Sequence, residues 1–226
     1  TLPSNTALTI GSKIEYSFIK TYNQYTKKKI TVLLAKTLIE KIFTKNFYKV
    51  NKEKELSSFK ENDPKIPFLI METFIGKDFE NIKYERIWEE SPIPIDNPEN
   101  AFRVILGDFV TTDDGTGIVH TAPTFGADDY KAAKSASPEV PALQVLDSNG
   151  NKVPIVDLKG KFIDGIGLVS GKYVKNEYYD PESIPEKSVD IEIAIKLKEI
   201  NRAFNVEKYS HSYPHCWRTD KPVLYY

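Results

Sequence analysis

The chain has 226 residues, 40% hydrophobic and 28% charged, with a formal net charge of -1. That composition excludes a disordered chain, and the length allows a sizeable core, read as a single domain. No apolar run approaches the roughly 20 residues of a membrane-spanning helix, and the opening TLPSNTALTIG lacks the charged and apolar regions of a signal peptide. A soluble, cytoplasmic protein with no membrane partner is expected.

Cys216 is the single cysteine, which excludes an intramolecular disulfide and fits a reducing compartment. The near-neutral charge conceals a skew, because Lys20 to Lys54 holds ten lysines against Glu40 and Glu53. One reading is a basic face that contacts RNA. The other is general lysine enrichment, since only four of the 31 basic residues are arginines: Arg86, Arg103, Arg202 and Arg218.

In chain order, strands are expected at Ile14 to Ile19 and Ile30 to Leu34, joined by a polar loop from Tyr22 to Lys29. Lys36 to Phe43 carries Leu38, Ile39, Ile42 and Phe43 at helical spacing, a core stripe. Asn51 to Lys65 is polar and ends near Asp-Pro, a surface loop with room for one helical turn. Phe68 to Phe74 is a strand, Ser91 to Asn100 a proline-rich connection, and Phe102 to Thr112 a longer strand. Asp113-Asp114-Gly115 then predicts a hairpin turn, with Gly117 to Ala122 as the returning partner, because glycine accepts the positive φ of tight turns. Pro123 ends that strand, and Asp128, Asp129 and Tyr130 lead into a short helix through KAAKSA, its acids in the first turn. Leu143 to Leu146 and Val153 to Val156 flank the turn Asp147 to Gly150 as a second hairpin. Asp190 is the expected cap of a helix from Ile191 to Phe204, with Ile191, Ala194, Ile195 and Lys198 along one face. Many short strands and few helices predict a mainly β, barrel-like fold with peripheral helices.

Polar residues concentrate in one strand-turn-strand-helix unit: Thr111, Thr112, Asp113, Asp114, Thr116, His120, Thr121, Asp128 and Asp129. The glycines around Thr116 let a ligand approach the backbone closely. A carboxylate at Asp129 is stabilised in its ionised form by the helix N-terminus and suits a cationic amino group. The plainer reading makes Asp128 and Asp129 ordinary first-turn acids, Thr116 a turn residue and His120 a hydrogen-bonded core histidine. A metal site is not expected, since His120 has no second histidine nearby and His211, His215 and Cys216 do not complete a four-ligand pattern.

Gly115 to Tyr130, GTGIVHTAPTFGADDY, resembles the editing segment of isoleucyl-tRNA synthetases, a form of a motif shared with the valine and leucine enzymes. SYPHCWR, Ser212 to Arg218, resembles the stretch by which the inserted editing domain returns to the synthetic domain, and TLPSNTAL resembles the exit from it. GKYV, Gly171 to Val174, and VDLKGKF are looser likenesses, and Lys20 to Lys65 resembles the family mainly in TVLLAKTLIEKIF.

The resemblance implies a single editing domain over residues 1–226, in which 1–10 and 211–226 connect to the synthetic domain and the two ends lie close together. It implies hydrolysis of valine wrongly esterified to isoleucine tRNA. A pocket cannot reject an amino acid one methylene smaller by more than about 1 to 3 kcal/mol, a limit for which this family is the usual illustration. By the same resemblance Asp129 anchors the α-ammonium and His120 shapes the wall that blocks isoleucine. Thr116 and adjacent backbone amides orient the ester, and Thr121 and Asp128 are further substrate contacts. Water is the nucleophile, assisted by the tRNA's terminal hydroxyl.

The implied partners are the charged acceptor end of isoleucine tRNA, its valine moiety, and the rest of the synthetase in cis. Editing needs no cofactor. ATP and Mg²⁺ belong to the synthetic domain, whose His-x-Gly-His and Lys-Met-Ser-Lys-Ser signatures do not occur here. The family's threonine-rich peptide WTTTPW precedes TLPSN and lines the pocket, so weakened or absent activity is expected without it. Thr219 stands where many relatives have cysteine, which argues against zinc. The competing reading is a non-catalytic insertion that binds the tRNA acceptor or acts as a spacer.

Overall fold

The computed structural model describes residues 2–208 and 213–224. Its mixed sheets and few helices agree with a mainly β chain. Ala7–Tyr84 and Arg103–His120 form one unit, built on sheets; the described residues up to Thr6, Glu85–Phe102 and those from Thr121 onward form a second, rich in loops.

In the sheet unit, β1 (Ala7–Ile10) is followed by β2 (Glu15–Tyr22) and β3 (Lys29–Ala35). β2 and β3 are rich in aromatic and β-branched residues and pair antiparallel, from Tyr16 opposite Ala35 to Tyr22 opposite Lys29. The helical stripe of Lys36 to Phe43 is realised as one 3-10 turn, Lys36–Leu38, running into the short α1 (Ile39–Ile42), and it buries Leu38, Ile39 and Phe43. β4 (Phe47–Lys49) was not expected. Its cause is tertiary: Phe43 stacks against Phe47 and Phe68 at centroid separations of 5.0 and 4.5 Å, seating β4 parallel to the strand carrying Phe68. α2 (Glu53–Leu56) is the helical turn of the polar loop, and β5 (Ile66–Ile75) completes the order β3-β2-β5-β4.

The hairpin expected around Asp113-Asp114-Gly115 does not form. β6 (Arg103–Leu106) stops well short of Thr112, and β7 (Ile118–Thr121) does not pair with it, because β1 lies between them in the order β6-β1-β7. β6 runs parallel to β1, Ala7 opposite Arg103 through Ile10 opposite Leu106. Gly107 closes that pairing by donating its N–H to the Ile10 carbonyl at 3.0 Å. A Cβ there would sit 2.4 Å from Thr9 Cγ2. Gly115 does take the positive φ of 65° that its turn demands, so the local chemistry was legible while the intervening strand was not.

Inside this unit the Tyr16 hydroxyl is a buried junction. It accepts the Gly11 N–H at 3.0 Å and donates to the Gly117 carbonyl at 2.6 Å, tying the β1–β2 connection to the segment entering β7.

In the loop-rich unit, α3 (Ala127–Ser135) carries Asp128 and Asp129 in its first turn, as its sequence predicts. β8 (Gln144–Leu146) and β9 (Lys152–Pro154) form the second expected hairpin. The Asp147 carboxylate shapes its turn by accepting the N–H groups of Asn149 and Asn151, each at 2.8 Å. α4 (Val189–Glu199) begins one residue before its expected cap: Ser188 is the N-cap, and Asp190 lies within the first turn. The buried face is therefore Val189, Ile193 and Leu197, at spacings of four, while Ile191 is half exposed. The helix stops at Glu199 because Asn201 turns left-handed, φ 61°, and Arg202 and Asn201 donate backward to the Leu197 and Lys198 carbonyls. α4 packs on a core that includes Trp88, Leu143, Ile155, Phe162 and Val169. No helix among the described residues is long and apolar enough to cross a membrane.

Candidate functional site

The segment Gly115 to Tyr130 runs from the sheet unit into the loop-rich unit, leaving Thr116 and His120 in the first and Thr121, Asp128 and Asp129 in the second.

Within the sheet unit Thr116 is exposed. Its carbonyl accepts the Ala35 N–H at 2.9 Å, and its hydroxyl oxygen accepts the Ile118 N–H at 3.4 Å, a local turn contact. The two glycines beside it have separate uses. Gly115 opens onto free space, with nothing within 4 Å of a built Cβ. Gly117 is buried, holds φ at 73°, and would place a Cβ 2.7 Å from that of Ala35. The backbone accessibility expected at both glycines thus belongs to Gly115; Gly117 is a packing requirement.

His120 lies on β7. The residue is partly open to solvent, and the hydration its ring loses to the surrounding protein pushes its pKa below 6.5. The imidazole is therefore predominantly neutral at neutral pH, suited to a wall or hydrogen-bonding role rather than to holding a positive charge. Titrating the ring proton signals by NMR should give a midpoint below 6.5; a midpoint above that value would show a stabilised imidazolium instead.

Within the loop-rich unit Thr121 is fully buried, and its carbonyl accepts the Thr6 N–H at 3.0 Å. The next residue, Ala122, donates its N–H to Asp129 Oδ2 at 2.9 Å. Asp129 thus reaches back from the first turn of α3 to the end of β7 and clamps the loop Ala122 to Gly126. The loop adds its own bond, from the Phe125 N–H to the Ala122 carbonyl at 3.0 Å. Two opposed effects act on the half-buried carboxyl: burial, the larger, raises its pKa above 3.8, and the Ala122 N–H lowers it. The sequence-based expectation weighed only the helix N-terminus. Asp128 is exposed and lies 3.5 Å from Lys131, a solvated pair one helical turn apart.

Gly126 and Phe125 were missed at the sequence level. A Cβ on Gly126 would fall 2.9 Å from Asp129 Cγ and Oδ2, so only glycine leaves the carboxylate where it is. A glycine three residues before an acid at a helix start was the available signal. Phe125 lines a cavity of about 510 Å³ in the same unit, together with Leu2, Phe162, Val174, Ile193, Lys175 and Asp190. Its volume suits a small-molecule ligand, and its walls are mostly apolar with a few polar groups. Lys175 Nζ sits 4.2 Å from the Tyr213 ring centroid at this cavity.

Among the described residues no three His, Cys, Asp or Glu side chains are grouped to hold a metal ion. His211, Ser212 and the proximity of the two chain ends lie outside the described residues.

No family model matches the chain. It is 50% identical over 237 residues to isoleucine–tRNA ligase of Cytophaga hutchinsonii and 46% identical over 243 residues to that of Bacteroides fragilis. It is 32% identical over 226 residues to isoleucine–tRNA ligase 2 of Bacillus anthracis. Each alignment covers 100% of this chain and, respectively, 20%, 20% and 16% of the relative, so the chain spans about a fifth of their length. The solved structure of GlLeuRS-CP1 aligns with 93% of this chain and 80% of its own at 13% identity, with a TM-score of 0.47. The sequence matches relate the chain to one segment of aminoacyl-tRNA ligases. Within that class the matched proteins are isoleucine–tRNA ligases, which cover the whole of this chain at 32–50% identity.

Proposed function

We propose that the chain is an editing domain that hydrolyses valine wrongly joined to isoleucine tRNA and spares isoleucine. The observation that carries this reading is the Asp129 carboxylate, half-buried at the start of α3 and fixed by the Ala122 N–H. One oxygen is committed to that bond, and the carboxylate's charge suits the α-ammonium of an aminoacyl ester.

In the proposed reaction Asp129 holds the ammonium and so fixes the ester carbonyl. Water adds to that carbonyl carbon, the bond to the ribose oxygen breaks, and that oxygen takes the proton, assisted by the neighbouring terminal hydroxyl of the tRNA. The products are free valine and uncharged tRNA. Neutral His120 contributes a wall that excludes the extra methylene of isoleucine, and Thr116 with its neighbouring amides orients the ester. Thr121, being buried, holds the backbone at the end of β7, and Asp128 contributes negative charge near the ammonium. The hydrolysis requires no cofactor; ATP and Mg²⁺ serve the synthetic part of the ligase.

The test is the rate of ester hydrolysis on isoleucine tRNA charged with valine or with isoleucine. A preference for the valyl ester of roughly 10-fold or more is expected from a one-methylene exclusion. Equal rates would overturn the selectivity, and tRNA binding with no hydrolysis of either ester would favour a non-catalytic insertion.

A further inference from the structure

The ester chemistry leaves the lysine-rich stretch unused, and the sheet unit gathers much of it around one carboxylate. Glu53, at the start of α2, lies 2.9 Å from Lys29 Nζ on β3 and 3.2 Å from Lys20 Nζ on β2. The hydrogen bond from Lys29, then that from Lys20, hold its carboxyl below the usual range, so Glu53 stays charged and joins the Lys52–Lys54 segment to the β2–β3 hairpin. Tyr22 fastens the same join: its hydroxyl donates to the Leu56 carbonyl at 3.3 Å and its ring stacks on Phe59 with centroids 4.5 Å apart. Exposed ion pairs of this kind add little stability. What they do is order the surface.

Lysines 20, 27, 28 and 29 lie on the hairpin, and Lys52 and Lys54 flank the Glu53 that is joined to it, with Glu55 beside them. The hairpin tip is also shaped in advance. Buried Asn23 accepts the Tyr25 N–H on Oδ1 at 2.8 Å, its own N–H bonds the Lys28 carbonyl at 2.8 Å, and Lys27 takes a left-handed φ of 56°. Tyr25 is thereby displayed, 37% exposed, beside Lys27 and Lys28. An aromatic ring on a fixed tip among cations matches a chain of phosphates with an accessible base better than it matches an acidic protein surface.

We propose that this hairpin face grips RNA, with Lys28, Lys52 and Lys54 on backbone phosphates and Tyr25 stacked on an unpaired base. It rests on the reading of charged tRNA as the partner and adds a place of contact apart from the reacting ester.

The experiment measures binding of an isoleucine tRNA transcript across a salt series, for the parent chain, the triple variant Lys28→Gln, Lys52→Gln, Lys54→Gln, and Tyr25→Ala. The triple variant should bind about tenfold or more weakly near 0.1 M salt, with a log-affinity against log-salt slope shallower by roughly 0.7 to 0.9 per lysine removed. Tyr25→Ala should weaken binding with the slope unchanged. The tRNA concentration for half-maximal valyl-ester hydrolysis should rise in both, with the saturating rate preserved. A triple variant whose affinity and slope match the parent overturns the surface, whatever the hydrolysis result. Lysine-dependent tRNA binding in a chain that hydrolyses neither ester upholds the surface and removes the editing reading. Equal competition by polyglutamate of matched charge would reduce the face to a general polyanion site and overturn RNA as its partner. An unchanged melting profile is expected for the triple variant, since Lys28, Lys52 and Lys54 are solvent-exposed.

Discussion

Replacing Asp129 by asparagine should slow hydrolysis of the valyl ester by roughly 10- to 150-fold, the equivalent of about 1.5 to 3 kcal/mol for one charge-assisted contact, while leaving the folded chain at least as stable. The asparagine oxygen can still accept the Ala122 N–H that Asp129 accepts at 2.9 Å, so the loop clamp survives and only the charge is lost. Asp129→Ala removes both. It strands the Ala122 N–H and should cost about 1 to 3 kcal/mol of stability besides the activity.

The pH dependence separates the two roles. Burial raises the folded pKa of Asp129 above 3.8, so the stability this group contributes is fully present below the unfolded value and is lost as pH rises through the folded one. Asparagine has no proton to lose. Urea midpoints should therefore shift in favour of Asp129→Asn as pH climbs from the aspartate range to neutrality, whereas hydrolysis by the parent should rise over that same window as the carboxylate ionises. An asparagine variant that keeps full activity would sink the ammonium-anchor role, and one that is destabilised at neutral pH would show that the charge itself holds the loop.

Features set by neighbours in sequence were legible, and those set by a partner arriving from elsewhere in the chain were not. The turn at Asp147 and the first-turn acids of α3 follow from side chains bonding or charging a backbone a few residues away. Gly115 likewise needed only its own dihedral angle. β1 is four residues long, too short to announce itself by alternation, yet it separates β6 from β7 and so defeats the Asp-Gly hairpin signal. β4 depends on Phe43 and Phe68 for its place, and α4 starts earlier than a cap at Asp190 predicts, with Ser188 as its N-cap.

The candidate site divides along the same line. Asp129 and His120 were singled out by residue type and by resemblance. The Gly126 requirement arises only when the Asp129 carboxylate folds back toward Ala122, a contact no spacing rule contains. Glycine is also ambiguous in sequence: in Gly-Thr-Gly, positions 115 and 117 read alike, and only the packing of Ala35 and the Tyr16 hydroxyl against Gly117 distinguishes them.

That distinction sets the largest stability effect expected. Gly117→Ala forces an L-residue to hold φ near 73° and drives its methyl to 2.7 Å from Ala35 Cβ. The left-handed conformation costs about 1 to 2 kcal/mol and overpacking about 1 to 3 kcal/mol more, so a loss of about 2 to 5 kcal/mol is expected against a typical total of about 5 to 15. The shift also moves the Gly117 carbonyl away from the Tyr16 hydroxyl, which now donates to it at 2.6 Å within the core of the sheet unit. Gly115→Ala is the matched control, since it holds φ at 65° but meets nothing within 4 Å, leaving only the conformational cost of about 1 to 2 kcal/mol. Urea midpoints for the two variants should therefore separate widely, with valyl-ester hydrolysis falling in the Gly117 variant as Thr116 and His120, on either side of the displaced strand start, lose their places. Equal losses at the two glycines would mean that Ala35 yields freely, and that the strand leading to His120 is held by something other than this contact.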